Sequence, residues 1–470
     1  MSGDATTQQA RGGPRPSGGT PRPSGRTPRP SPGIPLPRGG SAWGDSRRAE
    51  EALALASTGR PRNVILFVGD GLGEDEITIA RNYLRGADGR LVLDRFLFTG
   101  TVTNYSVVPG DPTRHNYVTD SAAAATAWAT GVKTYNGAIG VDAHGAPVPT
   151  LVELAGQRGM ATGLVTTEEV CDPTPAAMAA HVADRSGRGP DTMERCRAQA
   201  TENGGPGSIV EQLVRTRPDV LLGGGERYFR QTVRAGEFQG RTVLDQAAAA
   251  GYRLVTTAAG LAAADADGPL LGLFGDGALA RAWVGPKART DRGPAAVCRV
   301  NPDLPADQPT LARMTAKALD ILDERAAGRG FLLQVEAGLI DTASHDGDPC
   351  GMISEVAAFD EALAVGLQWA EEHGETLVLV TADHGHSAQI VPVDVESPGA
   401  TTMLLAHDGE PMLINYATNL PGEILVHTGA QVRVAAHGPS AAAVLGLGDQ
   451  TDLFRLITGL WEEKDAHADV

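Results

Sequence analysis

The sequence predicts an α/β protein, a three-layer α/β/α sandwich with a large, mostly parallel central sheet. From Asn63 onward, short apolar runs that read as buried strands alternate with amphipathic stretches that read as helices. Repeated strand–helix alternation is typical of parallel sheets whose two faces are both covered. Apolar residues in 353–374 also recur at helical spacing, which gives that segment a stripe to bury.

Taken in chain order, the pattern predicts five core strands and four covering helices. We expect the strands at 63–68, 160–166, 219–224, 330–336 and 376–382. We expect the helices at 74–84, 208–214, 309–328 and 353–374. In sheets of this kind, ligands bind at the carboxyl ends of the strands, so the residues just after each strand are the first place to look for chemistry.

Composition excludes some classes of function. The 470 residues are 41% hydrophobic and 21% charged, which is ordinary for a soluble globular protein, and no apolar run approaches the ~18 residues that span a membrane. The formal net charge of −17 argues against nucleic-acid binding, because phosphate backbones are held by basic surfaces. We therefore predict neither a transmembrane segment nor a nucleic-acid-binding surface.

The first 45 residues differ from the rest of the chain. Residues 1–45 repeat Pro, Arg, Gly, Ser and Thr, a composition that cannot bury enough apolar surface to offset its ordering entropy. We predict a disordered tail at 1–45 and one catalytic domain at 46–470. The tail lacks the apolar segment of a secretory signal peptide. The four cysteines allow three pairings, and their spacing alone does not choose among them.

Metal-type ligands follow three of the predicted strands. Any one acidic residue in such a place is more often a turn residue, but carboxylates and imidazoles at three strand ends predict a metal site. Carboxylate oxygen together with imidazole suits zinc. The residues are Asp70 after the first strand, Glu336, Asp341 and His345 at and after the fourth, and Asp383 and His384 after the fifth.

The segment TDSAAAATAWATG at 119–131 predicts a helix that begins near Ser121 and ends at Gly131. Ser121 has two readings. It is a helix-capping serine, or it is a nucleophile placed where backbone N–H groups and the helix dipole can receive a phosphate. No GxSxG motif surrounds it, which argues against a serine-hydrolase triad. GDGLGE at 69–74 lacks the spacing of a dinucleotide-binding motif.

Five segments together resemble the bacterial alkaline phosphatase family. The resemblance runs in order from about Asn63 to Leu460, and it is carried by NVILFVGDGLGEDEITIARNY, YVTDSAAAATAWATGVKTYNGAIGVD, LLQVEAGLID, VTADHGHSAQIV and HTGAQVRVAAHGP. The resemblance implies that residues 46–470 form an alkaline phosphatase catalytic domain. It also implies hydrolysis of phosphate monoesters over a broad substrate range, with release of inorganic phosphate.

The resemblance assigns roles to residues at matching positions, with two zinc ions and one magnesium ion as cofactors. Ser121 becomes the nucleophile, Arg185 clamps phosphate, and Asp120 positions that arginine. His386 matches a histidine behind the zinc ligands. The first zinc would take Asp341, His345 and His427, the second Asp70, Asp383 and His384, and magnesium Asp70, Thr174 and Glu336, with Asp172 orienting its waters.

The implied reaction is two in-line displacements through a phosphoserine on Ser121, which predicts net retention of configuration at phosphorus. The family is typically a homodimer. It is also exported, so we expect a periplasmic or secreted protein although no signal peptide is visible in this numbering. The resemblance further implies a Cys298–Cys350 disulfide, a bond that an oxidising compartment favours.

Three positions depart from the family pattern. Thr342 stands where well-studied bacterial members carry a lysine near the phosphate, and loss of that charge should weaken phosphate binding. Cys196 matches half of a second disulfide whose other half falls at Gly187. Cys171 is an additional cysteine beside Asp172, and a Cys171–Cys196 bond is an open alternative that the family pattern does not support.

Two other functions are open. A phosphodiesterase or sulfatase of the same superfamily shares the two-metal ligands, but it usually differs at the nucleophile and lacks the arginine and the third metal site. Ser121, Thr174, Arg185 and Glu336 together argue against that reading. A catalytically inactive, metal-stabilised binding protein is the other alternative, but every ligand of the family pattern is present.

Overall fold

A computed structural model of the chain describes residues 59–461. The predicted tail at 1–45 lies outside the described residues, as do the two ends of the predicted domain at 46–470. Within 59–461, no helix is both long and apolar enough to cross a membrane.

The core is one sheet of ten strands, which confirms the predicted α/β fold with a large, mostly parallel sheet. The strands are β1 Asn63–Gly69, β2 Phe98–Thr103, β5 Ala161–Glu169, β6 Val220–Gly224, β7 Arg253–Val255, β8 Leu270–Leu273, β11 Phe331–Ala337, β12 Thr376–Ala382, β16 Val432–His437 and β17 Gly446–Asp449. They lie in the order β17-β2-β16-β12-β1-β11-β5-β6-β8-β7, and β16 alone among them runs opposite to the others.

The predicted strands form the middle of this sheet. β1 pairs in parallel with β11 on one side and β12 on the other, and every residue of these three strands is buried. Strands covered on both faces read as continuous apolar runs, which is why the sequence pattern found them. Their carboxyl ends lie at one edge of the sheet, directly below the predicted ligands.

Helices cover both faces, as the three-layer prediction requires. The longest are α1 Glu74–Arg85, α2 Ser121–Thr130, α9 Leu311–Ala326, α11 Pro349–His373 and α12 Gln450–Trp461; the shorter are α3 Leu151–Gln157, α4 Pro173–Ala176, α5 Ile209–Thr216, α6 Glu226–Phe229, α7 Val243–Ala249, α8 Ala258–Ala263 and α10 Leu339–His345. Adjacent residues of β11 show the two layers. Leu333 lies beside Leu322 of α9, whereas Gln334 accepts a hydrogen bond from Trp128 of α2 at 3.2 Å. Successive side chains of a strand point to opposite faces, so α9 and α2 lie on opposite sides.

Several elements were not predicted from the sequence. They include the outer strands of the sheet, which are β17, β2 and β16 on one side and β8 and β7 on the other. They also include a separate antiparallel sheet in which β15 Pro411–Tyr416 lies between β13 Ala388–Val391 and β14 Ala400–Leu405. Two small pairs, β3 Ser106–Val108 with β4 Asp111–Asn116 and β9 Trp283–Val284 with β10 Arg299–Val300, complete the described strands. Helix α11 begins at Pro349, four residues before its predicted start, where Asp348 accepts a hydrogen bond from Gly351 N at 2.9 Å.

Two of the four cysteines are bonded to each other and two are free. Cys298 and Cys350 form a disulfide with a Cα–Cα distance of 5.4 Å, as the resemblance implied. Cys171 and Cys196 are both buried free thiols, so the Cys171–Cys196 alternative is wrong in this structure. A Cβ built on Gly187 would lie 2.9 Å from Cys196 Sγ and 3.3 Å from Cys196 Cβ, close to disulfide geometry.

Gly187→Cys is expected to form a disulfide with Cys196. Closing a loop of roughly ten residues should stabilise the fold by about 2 kcal/mol, because it limits the freedom of the unfolded chain. Thermal unfolding under oxidising and reducing conditions measures the effect, and thiol titration should find one free thiol, Cys171, in the oxidised variant.

The matched control for this prediction is Gly187→Cys combined with Cys196→Ser, which carries the same new side chain but has no bonding partner. An oxidised Gly187→Cys variant that unfolds at the same temperature as this control, with three titratable thiols, would contradict the proposed geometry.

Candidate active site

Ser121 is the first residue of helix α2 and is almost fully buried. Asp120 takes the capping role, since its carboxylate accepts a hydrogen bond from Ala123 N at 3.0 Å. The hydroxyl of Ser121 is therefore free of helix capping and lies 3.4 Å from His384 Nε2. The helix N-terminus favours negative charge at this position.

The first ligand group surrounds the carboxylate of Asp341. His345 Nε2 lies 3.2 Å from its Oδ2, while His386 Nε2 and His427 Nε2 lie 3.2 and 3.3 Å from its Oδ1. His345 and His427 approach each other with their Nε2 atoms 3.1 Å apart. Asp341 and His345 both belong to helix α10 and stand one turn apart, as their spacing predicted.

Backbone carbonyls orient two of these imidazoles. His345 Nδ1 donates to the carbonyl of Leu425, and His427 Nδ1 donates to that of Thr119 at 3.1 Å. With Nδ1 protonated, Nε2 carries the lone pair that faces the centre of the group. This is the usual way in which a protein fixes the tautomer of a metal-binding histidine.

The second group consists of Asp70, Asp383 and His384. His384 Nε2 lies 3.1 Å from Asp383 Oδ2 and 3.6 Å from Asp70 Oδ1. Asp383 Oδ1 accepts hydrogen bonds at 2.8 Å from the backbone N–H groups of Gly71 and His384, which holds the other carboxylate oxygen toward the group. The rings of His384 and His427 stack with centroids 3.6 Å apart, so the two groups adjoin.

A third group lies where strands β5 and β11 end. Glu336 pairs in register with Thr166, whose hydroxyl donates to Glu336 Oε2 at 2.5 Å. Thr174 follows β5 in helix α4, and its backbone carbonyl accepts a hydrogen bond from the side chain of Gln334 at 3.0 Å. Asp172 is the residue that precedes this helix.

The donor atoms of all three groups fit metal ions. Among residues 59–461, buried side-chain atoms without a hydrogen-bond partner concentrate here. They include Asp70 Oδ1, Thr174 Oγ1, Glu336 Oε1, Asp341 Oδ1, Asp383 Oδ2, His384 Nδ1 and His386 Nε2. Buried polar atoms normally have partners. Carboxylates with imidazoles suit zinc, and the all-oxygen set of Asp70, Thr174 and Glu336 suits magnesium.

The carboxylates repel one another strongly. Burial raises the pKa of Asp70 well above its ordinary value, and Asp383 and Asp341 raise that pKa further. Burial also raises the pKa of Asp383, to about 6. For Asp341 the upward effect of burial is outweighed by the three surrounding imidazoles of His345, His386 and His427, which hold its pKa well below the usual range. Bound cations would relieve this crowding.

Arg185 faces the metal groups from the loop after α4. Its Nη1 lies 3.4 Å from Asp120 Oδ2, and its Nη2 lies 3.8 Å from Asp172 Oδ2. Asp120 is held in turn by Gly137 N, which donates to Oδ2 at 2.8 Å. The contact between Asp120 and Arg185 that the resemblance implied is therefore present in the structure.

Three charged residues that sequence reasoning missed lie beside Arg185. Arg188 contacts both Glu169 and Asp172, and Arg227 contacts Glu169 from the other side. Thr342, at the position of the usual lysine, donates a hydrogen bond to Glu168 Oε1 at 2.9 Å. Arg188 stands three residues after Arg185, and this proximity was the only signal that could have drawn attention to it.

The groups open onto one cavity of about 910 Å³. Its lining includes four members of the ligand groups and four arginines, namely Asp70, Asp341, His345 and His427, and Arg185, Arg188, Arg227 and Arg281. The structure therefore brings every predicted ligand and the predicted phosphate clamp to one edge of the sheet. It also places His386 Nε2 3.2 Å from Asp341 Oδ1, beside the first group.

Sequence comparison finds close relatives along most of the chain. The alkaline phosphatase family model matches residues 61–426. Alkaline phosphatase of Escherichia coli (strain K12) is 50% identical over 404 residues, which cover 84% of each protein. Alkaline phosphatase H of Pseudomonas aeruginosa (strain UCBPP-PA14) is 49% identical, and 88% of this chain aligns with 89% of that protein. A streptomycin-6-phosphate phosphatase of Streptomyces griseus is 50% identical, over 87% and 92%.

Solved structures share the fold. The alkaline phosphatase of Thermus thermophilus superposes with a TM-score of 0.65 at 26% identity, covering 88% of this chain and 95% of that one. A cold-active alkaline phosphatase from Shewanella gives a TM-score of 0.63 at 26% identity, covering 85% and 100%. Fold, ligand geometry and identity of about half the aligned residues agree, and the chain belongs to the alkaline phosphatase family.

Proposed function

We propose that this alkaline phosphatase hydrolyses phosphate monoesters through a phosphoserine on Ser121, with two zinc ions and one magnesium ion. The observation that carries the proposal is the position of Ser121. Its hydroxyl lies at a helix N-terminus, 3.4 Å from His384 and on the same side of the sheet as both imidazole-containing groups. An unassisted serine is a weak nucleophile, and this surrounding favours its ionised form.

The metal ion assigned to each group follows from the ligand atoms that its residues offer. Asp341, His345 and His427 would hold the first zinc, and Asp70, Asp383 and His384 the second. Asp70, Thr174 and Glu336 would hold magnesium, with Asp172 orienting its waters. When bound, the zinc ions supply Lewis-acid stabilisation for the serine oxygen and the departing oxygen.

Arg185 would bind the substrate phosphate. A guanidinium donates two parallel hydrogen bonds to phosphate oxygens, a fit that lysine does not offer. Asp120 holds Nη1 of Arg185 from behind, so the side chain is partly ordered before substrate arrives. The bound phosphate then presents phosphorus to Ser121 with its leaving oxygen directed toward the open cavity.

The chemistry is two in-line displacements. Ser121 Oγ attacks phosphorus, the bond from phosphorus to the ester oxygen breaks, and the alcohol leaves after taking up a proton. Water then attacks the phosphoserine from the vacated side, the Ser121 Oγ–phosphorus bond breaks, and inorganic phosphate departs. Two inversions give net retention of configuration at phosphorus.

A broad substrate range is consistent with the shape of the cavity. The phosphate side carries the dense set of charged groups, whereas the leaving group extends into a space of about 910 Å³ that admits large alcohols. The streptomycin-6-phosphate phosphatase relative is named for a bulky sugar phosphate, and we propose that this chain accepts such esters as well.

Cleavage of a phosphodiester or a sulfate ester is less well supported. Arg185 lies 3.4 Å from Asp120, the residue before Ser121, and Thr174 and Glu336 supply ligands for a third metal ion. Both features suit a dianionic monoester. Comparison of p-nitrophenyl phosphate with bis(p-nitrophenyl) phosphate and p-nitrophenyl sulfate separates these reactions, and we expect strong preference for the first.

We also propose that the protein is a homodimer and is periplasmic or secreted, both on the family resemblance. The Cys298–Cys350 disulfide supports export, since such bonds persist in oxidising compartments. Sedimentation velocity of the purified protein measures the assembly, and a species with the mass of one chain would contradict the dimer.

Ser121→Ala is expected to lower kcat for p-nitrophenyl phosphate by at least about a thousandfold, because the covalent route is lost. Chelation of the wild-type enzyme should abolish activity and lower the thermal midpoint, since the clustered carboxylates then repel one another without compensation. Readdition of zinc and magnesium should restore both quantities.

The control for Ser121→Ala is its metal content and thermal midpoint, which should match those of the wild type. A wild-type enzyme that is inactive on the monoester with metals present, yet cleaves the diester or sulfate, would overturn the proposed reaction.

Thr342→Lys is expected to strengthen inhibition by inorganic phosphate by roughly threefold to tenfold, because a new positive charge in a partly buried pocket attracts the dianion. Turnover should fall if product release limits it. Thr342→Met is the control for side-chain length without charge. Unchanged phosphate inhibition in Thr342→Lys would show that this position does not influence phosphate.

A further inference from the structure

Arg188 is a second arginine in the wall of the cavity, and the phosphate clamp formed by Arg185 and Asp120 does not include it. Its side chain is 22% exposed, and it forks between two acidic residues that are themselves buried. One guanidinium nitrogen contacts Glu169 and the other contacts Asp172 Oδ1. Arg188 is thus in contact with Asp172, the carboxylate that lies between the third ligand group and Arg185.

Two guanidinium groups approach Asp172, and that of Arg188 lies closer than that of Arg185. Arg188 contacts Oδ1, whereas Arg185 Nη2 remains 3.8 Å from Oδ2, beyond hydrogen-bonding distance. A carboxylate can accept a bidentate arginine. Without Arg188, Asp172 would therefore be available to form hydrogen bonds with Arg185. The guanidinium of Arg185 would then be turned away from the phosphate.

We propose that Arg188 is a positioning residue. It binds Asp172 and neutralises its charge, and so it keeps the guanidinium of Arg185 available for phosphate. This inference rests on the proposed role of Arg185 as the phosphate clamp.

The chain contains a matched control residue. Arg227 contacts the same Glu169, but it is 48% exposed and makes no contact with Asp172. Arg188→Gln and Arg227→Gln each remove one positive charge and one contact with Glu169. The difference between the two variants thus isolates the contact of Arg188 with Asp172.

The experiment measures the dissociation constant of inorganic phosphate by calorimetry on the zinc- and magnesium-loaded full chain, together with KM and kcat for p-nitrophenyl phosphate. We expect Arg188→Gln to weaken phosphate binding and raise KM by about tenfold, a typical cost of losing one charged hydrogen bond, with kcat changed by less than about threefold. Arg227→Gln should stay within about twofold of the wild type for each quantity.

A double-mutant cycle with Asp172→Asn tests whether Arg188 acts through Asp172. Because an amide oxygen carries no negative charge and holds a guanidinium more weakly than a carboxylate does, adding Arg188→Gln to Asp172→Asn should weaken phosphate binding little further. Equal weakening in both backgrounds would mean that Arg188 attracts phosphate by its own charge, and the inference would be wrong. Arg188→Lys keeps the positive charge but cannot contact two carboxylates with a planar guanidinium. It should therefore recover only part of the phosphate binding that Arg188→Gln loses.

The outcomes separate this inference from the proposed function. A wild-type protein that binds no phosphate and hydrolyses no monoester would refute the proposed function itself. A wild-type protein that does both, with Arg188→Gln indistinguishable from Arg227→Gln, would refute the role of Arg188 alone. Thermal midpoints of all variants show whether a loss of binding reflects misfolding.

Discussion

Electrostatic crowding at one edge of the sheet is the constraint on which the site depends. Asp70, Glu336, Asp341 and Asp383 are packed together with little solvent to screen them. Isolated buried carboxylates are costly unless they are protonated, paired or bound to cations. The imidazoles around Asp341 and the unpartnered donor atoms of all three groups are consistent with the last of these. The parallel strands make this crowding unavoidable, because they deliver their carboxyl ends to the same edge.

The middle of the fold was predictable because its signal is local. Strands such as Asn63–Gly69 and Thr376–Ala382 are apolar along most of their length, since both of their faces are covered. The outer strands β2 and β17 are not continuous apolar runs. Phe98–Thr103 alternates buried and partly exposed residues, and Gly446–Asp449 buries none fully. Their place in the sheet depends on partners far along the chain, which periodicity within one segment does not report.

The candidate site shows the same division. Asp70, Glu336, Asp341, Asp383 and His384 were found from strand ends alone. The other members were identified only through the family resemblance, because they lie in loops or at helix starts where no local pattern marks them. They are Ser121 in its catalytic role, Asp172, Thr174, Arg185 and His427. Arg188 was found by neither route, because its meaning lies in contacts with Asp172 and Glu169 that only the folded chain creates.

The reversed strand β16 has a consequence for biogenesis. The central strands β1, β5, β11 and β12 carry their succeeding segments to the site, whereas β16 runs antiparallel to β12 and carries its preceding loop there, which contains His427. That histidine follows His345 by 82 residues, and it can join Asp341 and His345 only after β16 has been made and has added to the sheet. A ribosome-bound or truncated chain thus presents an incomplete first ligand group. Tight binding of a metal ion by this group would thereby wait until β16 has docked against β12.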